Sequence, residues 1–187
     1  MGKHHSKLSP EMIEELVNRT HFSHHDLRKW YKGFMKDCPD GMLTLERFAK
    51  AYSKMFSKGD PSRFVEHAFR VFDAKHDGVI DFEEYICAIA VSANGKLEEK
   101  LGWVFNMYDL DGDGYIGKDD LLEILRSIYQ MVGTGVLNLP ADELTPEDRS
   151  AKMFALMDTN KDDKLSLEEF INGVKSDQSI LDLLRSH

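Results

Sequence analysis

Asp109-Leu110-Asp111-Gly112-Asp113-Gly114-Tyr115-Ile116-Gly117-Lys118-Asp119-Asp120 places carboxylates at positions 1, 3, 5 and 12 of a twelve-residue loop, with glycine at position 6. Oxygen donors at this spacing match what a hard divalent cation requires. Ca²⁺ takes six to eight oxygens, the position 7 carbonyl (here Tyr115) included, and a glycine at position 6 allows the sharp turn. Gly117 at position 9 has no side chain and leaves that place to water. Asp120 at position 12 is one methylene shorter than Glu, which disfavours a two-oxygen grip. Six single oxygens suit Mg²⁺, so this loop is expected to take Mg²⁺ or to bind Ca²⁺ weakly.

The same outline recurs outward in both directions. Loops begin at Lys36, Asp73, Asp109 and Asp158, spaced by 37, 36 and 49 residues. The last step is lengthened by Val132 to Leu144, which holds Gly133, Gly135 and Pro140. Such self-similarity marks a repeated supersecondary unit. Trp30, Tyr31 and Phe34 before the first loop, and Phe48, Tyr52, Met55 and Phe56 after it, fall at helical spacing. Ser23 with Asp26 and Thr145 with Asp148 resemble capping boxes, and Asp60-Pro61 sets an acid before a first-turn proline. These features predict an all-α chain of four helix–loop–helix units in two paired lobes, with two-residue β contacts between paired loops. The expected units are an N-terminal arm with a short helix (1–22), a first pair (23–93), a second pair (94–175) and a closing helix (176–187).

The other loops vary the chemistry. Asp158, Asn160, Asp162, the Lys164 carbonyl and Glu169 fill a complete set, with Ser166 at position 9 and Asp163 where glycine is usual. A left-handed non-glycine residue costs roughly 1 kcal/mol, and Asp tolerates it better than most. This loop is expected to bind Ca²⁺. In the loop from Asp73 to Glu84, Asp77, the Val79 carbonyl, Asp81 and Glu84 fit, but Lys75 brings a cation to position 3. Reduced affinity is expected there, with the lysine swinging aside. The first loop keeps Gly41 and Leu43 at positions 6 and 8. Lys36 and Arg47 replace the acids at positions 1 and 12, and Cys38-Pro39 stiffens positions 3 and 4, so it is expected to be metal-free.

The composition excludes several classes. There are 33 acidic residues against 24 Lys plus Arg, a net charge of −9, which argues against binding nucleic acid by phosphate neutralisation. The longest apolar run, Ile86 to Val91, is far below the ~20 residues that span a bilayer. Two cysteines build no disulfide framework and point to a reducing, cytoplasmic setting. Residues 61–187 hold 25 acidic side chains and residues 1–60 only 8, because the ligand positions of three loops concentrate eleven carboxylates in the rear. Met1-Gly2 with Ser6 fits an N-myristoylation signal on Gly2. Lys3 and Lys7 fit attraction to an anionic membrane. Gly-x-Ser-x-Gly, Walker and His-Glu-x-x-His motifs are absent, so no enzyme is expected.

With these loops the chain resembles the neuronal calcium sensor family of myristoylated EF-hand proteins, closest to its frequenin, hippocalcin, neurocalcin and visinin-like group. The resemblance is carried by Trp30-Tyr31-Lys32-Gly33-Phe34, Lys36-Asp37-Cys38-Pro39, Tyr108-Asp109-Leu110-Asp111, Ile128-Tyr129-Gln130-Met131-Val132 and Leu165-Ser166-Leu167-Glu168-Glu169-Phe170. It implies a calcium–myristoyl switch, an N-terminal groove built from Trp30, Phe34, Phe48, Tyr52, Phe56, Tyr85 and Ile89, and three Ca²⁺ sites. The departures at Lys75, Asp120 and Asp163 bear on that number, which is set at two or three ions. The leading expectation is a Ca²⁺ sensor that presents a groove to a target helix of a receptor, channel, kinase or cyclase at an anionic membrane, as a monomer or weak dimer. The alternative is a Ca²⁺/Mg²⁺ buffer that barely opens.

Overall fold

The computed structural model describes residues 8–133, 145–178 and 181. Gly2 and the basic N-terminus, most of the linker after Val132, and most of the expected closing helix lie outside the described residues. The fold is all-α. Helix α1 (Pro10–Thr20) leads. Then come α2 (His24–Asp37) and α3 (Leu45–Met55), α4 (Ser62–Phe72) and α5 (Phe82–Asn94), α6 (Leu97–Tyr108) and α7 (Lys118–Val132), and α8 (Pro146–Met157) and α9 (Leu167–Ser176). The only strands among the described residues are two-residue pieces at loop centres: β1 (Leu43–Thr44), β2 (Val79–Ile80), β3 (Ile116–Gly117) and β4 (Lys164–Leu165).

Local chemistry sets the helix starts. Ser9 accepts from the Met12 amide with Pro10 in the first turn, and His21 closes α1 at φ 59°. The Ser23 and Thr145 hydroxyls accept from the amides of Asp26 and Asp148 and donate to the same residues' carboxylates at 2.6 Å. The Asp60 carboxylate accepts from the Ser62 amide at 3.0 Å, so α4 begins one residue after Pro61.

Paired loops join back to back. β1 runs antiparallel to β2 with Leu43 opposite Ile80, and β3 runs antiparallel to β4 with Ile116 opposite Leu165. These four aliphatics occupy position 8 of their loops, and the last three are fully buried.

Two cores result. The smaller gathers Ile13 and Leu16 of α1 with Leu27 and Phe34 of α2 and Phe82 and Ile86 of α5, so the leading helix is a packed element of the first pair. The larger runs without a break through both pairs. It joins Phe64, Val65 and Ala68 of α4 to Leu121, Ile124, Leu125 and Ile128 of α7 and to Phe105 and Phe170. Helix α4 packs on α6 and α7 of the second pair as well as on α3 and α5. Polar fastenings cross the same seam, among them Arg63 of α4 donating to Glu123 of α7 at 2.8 Å. Arg70 donates to the carbonyls of Asn106, Met107 and Asp109, satisfying the open C-terminal end of α6. Gly59 lies so close to α7 that a Cβ would sit 2.1 Å from the Met131 carbonyl oxygen, and its neighbour Asp60 receives the Gln130 side chain at 2.9 Å.

Candidate functional site

The four loops share a backbone frame. Position 6 is left-handed in every one: Gly41 (φ 75°), Gly78 (85°), Gly114 (87°) and Asp163 (64°). The position 5 carboxylate accepts from the position 7 amide in all four, at 2.9–3.2 Å (Asp40, Asp77, Asp113 and Asp162). Position 4 separates them. His76 (φ 55°), Gly112 (72°) and Lys161 (59°) are left-handed there, whereas the first loop has Pro39, whose ring fixes φ near −65°. The sequence signals this second turn only at Gly112, since Lys161 is an ordinary residue and His76 only a tolerant one.

The position 1 carboxylate organises the three acidic loops. Asp73, Asp109 and Asp158 each accept from the amides of positions 5 and 6 at 2.9–3.2 Å. The acid at position 12 is also the third residue of the outgoing helix, so it caps that helix. Glu84 accepts from the Asp81 amide at 3.0 Å and reaches across the loop to the Lys75 amide at 2.9 Å. Glu169 accepts from the Ser166 amide at 3.0 Å and from the amides of Thr159 and Asn160 at 3.2 and 3.3 Å. The shorter Asp120 accepts from the Gly117 amide at 3.0 Å.

The charges crowd. Asp109, Asp111 and Asp120 bring one carboxylate oxygen each within 4.8 Å of one another. Burial, and then the carboxylates of Asp111, Asp109 and Asp113, hold Asp120 above the usual carboxylate range. Burial raises Glu84 likewise. Glu169 is held low by hydrogen bonds from Ser166. Converging like charges and half-buried acids are a donor set that gains from a hard cation. The residues that would hold one are Asp73, Asp77, Asp81 and Glu84 with the Val79 carbonyl; Asp109, Asp111, Asp113 and Asp120 with that of Tyr115; and Asp158, Asn160, Asp162 and Glu169 with that of Lys164.

Lysines already sit on two of these sets. Lys75 does not swing aside: its ammonium pairs with Asp81 and lies 3.6 Å from Glu83. Lys164 donates to Asp113 of the neighbouring loop at 2.9 Å, and Lys118 pairs with Asp163 in return.

The expected groove residues divide. Trp30, Phe34 and Tyr85 come together (Trp30–Tyr85 ring centroids 6.2 Å, Phe34–Tyr85 5.2 Å) and line a cleft of about 980 Å³. Leu43, Ala51 and the largely exposed Met55 complete its apolar wall. Phe48, Tyr52 and Phe56 pack instead into the larger core, where Phe48 meets Phe69 and Tyr52 meets Phe64. Ile89 is half-buried on α5 and does not line the cleft. Lys29, Arg47, Lys50 and Lys54 add basic groups to the lining, a feature the sequence carries only as Arg47, Lys50 and Lys54 at helical spacing. Cys38 is buried and Cys87 half-buried, both as free thiols.

A family model described as an EF-hand domain pair matches residues 98–175, and one described as an EF hand matches residues 64–86. Neuronal calcium sensor 1 of Lymnaea stagnalis is 51% identical over 184 residues, covering 98% of this chain and 96% of its own length. Recoverin of Homo sapiens is 43% identical over 179 residues, covering 95% of this chain and 90% of its own. Visinin of Gallus gallus is 36% identical over 181 residues, covering 96% and 94%. Four loops of one frame, three with acidic ligand sets, and similarity along nearly the whole chain lead to one conclusion: this chain belongs to the neuronal calcium sensor family of EF-hand proteins.

Proposed function

We propose that the chain is an intracellular Ca²⁺ sensor that holds ions in the loops 73–84, 109–120 and 158–169 and answers by opening a hydrophobic groove and releasing a myristoyl group on Gly2. The observation that carries this reading is the placement of the position 12 acids. Glu84, Asp120 and Glu169 each sit in the first turn of α5, α7 or α9, so a cation that draws them inward moves a helix. An ion would supply the positive charge that the crowded carboxylates lack. The chain's own residues do the rest: the outgoing helices shift, and the apolar wall of Trp30, Phe34, Tyr85 and Met55 becomes a seat for an amphipathic target helix. The basic first third faces an anionic membrane, where one acyl chain gives reversible anchoring. No helix among the described residues is long and apolar enough to cross a membrane.

Co-sedimentation of the acylated protein with phosphatidylserine vesicles, with and without Ca²⁺, tests the reading alongside a dye that fluoresces on apolar surface. Both signals should rise with Ca²⁺; a flat response in both favours the buffer. Asp120 is the feature that favours the buffer at one site. Asp120→Glu is expected to raise Ca²⁺ affinity and weaken Mg²⁺ competition in calorimetry, by about tenfold where a second oxygen is gained.

A further inference from the structure

The first loop has lost its acids at both ends and still keeps the shape of its neighbours. Counting from Lys36, Asp40 stands at position 5, Met42 at position 7 and Arg47 at position 12. Arg47 Nη1 lies 2.6 Å from Asp40 Oδ1 and 2.6 Å from the Met42 carbonyl oxygen. In the other three loops, the position 5 carboxylate and position 7 carbonyl are the groups assigned above to an ion. Asp40 is held below the usual carboxylate range by Arg47 first, and the Cys38 thiol at position 3, raised by burial, is pulled back down by the same guanidinium. Two ligand positions of the loop, 5 and 7, therefore face one side chain.

We propose that Arg47 is the resident cation of the first loop: its guanidinium takes the place of a metal and holds this hand in a cation-loaded arrangement at every Ca²⁺ concentration. The chemistry is suited to permanence. A guanidinium is charged at all physiological pH values and presents its donors in a fixed fork. Being tethered, it arrives without the loss of translational freedom that a free ion bears. Lys75 in the second loop is a contrasting case, since an ammonium on a flexible stem lies between Asp81 and Glu83 as a point charge, without a fixed fork, and can be displaced. The first pair then works with one hand fixed and one responsive. Because β1 pairs with β2, an ion in the second loop acts on a partner that is already rigid, and one ion suffices for the pair. Only this last step rests on the sensor reading; the guanidinium site stands apart from it.

The test is made on the full chain in chelator, without Ca²⁺. Arg47→Ala and Asp40→Asn should each speed amide hydrogen exchange at Leu43 and Thr44 by about tenfold, and the double variant should be no faster than either alone. Millimolar methylguanidinium should restore protection to Arg47→Ala, whereas methylammonium or sodium chloride at the same ionic strength should not. Unchanged exchange in both single variants, or rescue by any salt alike, overturns the proposal. If Arg47→Ala does not fold, the unaltered protein decides: a slowly exchanging Arg47 guanidinium resonance, present without Ca²⁺ and unmoved when Ca²⁺ saturates, is expected, and its absence refutes the assignment. Since every arm but the last is read without Ca²⁺, a failure here leaves the sensor reading standing. A failed Ca²⁺ titration likewise leaves this one standing.

Discussion

The first pair of hands and the second are built on one loop frame and neutralise it differently. In the first pair the opposing cations are intrinsic to each loop, Arg47 on Asp40 and Lys75 on Asp81. In the second pair they cross between loops, Lys164 on Asp113 and Lys118 on Asp163. The left-handed residue at position 6 and the bond from the position 7 amide to the position 5 acid survive in all four. The loop shape is thus a property of local backbone bonding, and metal binding is laid over it by the acids at positions 1 and 12. Changing those two residues can retire a hand without unfolding it.

The comparison can be broken at several scales. The largest effect is expected in the core behind the second pair. Phe170 is fully buried and meets the rings of Phe105 and Tyr108 at 5.8 and 5.9 Å. Phe170→Ala should cost about 3–5 kcal/mol, read from chemical denaturation without Ca²⁺. Phe34→Ala, whose side chain borders the open groove, should cost less; equal losses would remove the distinction between a closed pair and an open one. Next, Glu169→Gln should weaken Ca²⁺ at the fourth loop by about 100-fold, or roughly 2.7 kcal/mol, in calorimetry. An unaffected isotherm would take that loop out of the sensor. Smaller again, Lys75→Asn should tighten Ca²⁺ binding at the second loop by about tenfold, as an intrinsic competitor is replaced by a ligand. Lys164→Gln, freeing Asp113 from a half-exposed pair, should shift the third loop by only about threefold, since exposed pairs contribute about 0–1 kcal/mol. Similar gains at both sites would erase the contrast between intrinsic and crossing cations. The smallest change belongs to Asp163→Gly. Relief of the left-handed strain, about 1 kcal/mol, is offset by the greater freedom of glycine in the unfolded chain, so thermal melting should move stability by less than about 0.5 kcal/mol.

Much of this was legible in the sequence because the repeat is written in residues that have few alternatives. The recurring loop outline gave the two-residue strand contacts, and the acids at position 12 were read as ligands; that Leu43 faces Ile80 and Ile116 faces Leu165, and that the same acids cap the outgoing helices, came from the structure. Other features were hidden for physical reasons. An aromatic stripe at helical spacing looks the same whether it lines a groove or fills a core, and Phe48, Tyr52 and Phe56 went to the core. The sequence shows that Lys75 and Arg47 are cations but not where four or five bonds of side chain will carry them. Asp60-Pro61 marked the start of α4 without revealing that helices of both pairs cover it.

That covering of α4 has a consequence for taking the molecule apart. A chain divided at Gly95, in the short connection between α5 and α6, would strip Phe64, Val65 and Ala68 from their partners on α7 and leave the Gly59 turn facing no neighbour. The two products would be complementary fragments, each sticky alone and ordered when mixed, and not a pair of miniature proteins. Rejoining of separately made halves would then report the strength of the seam directly.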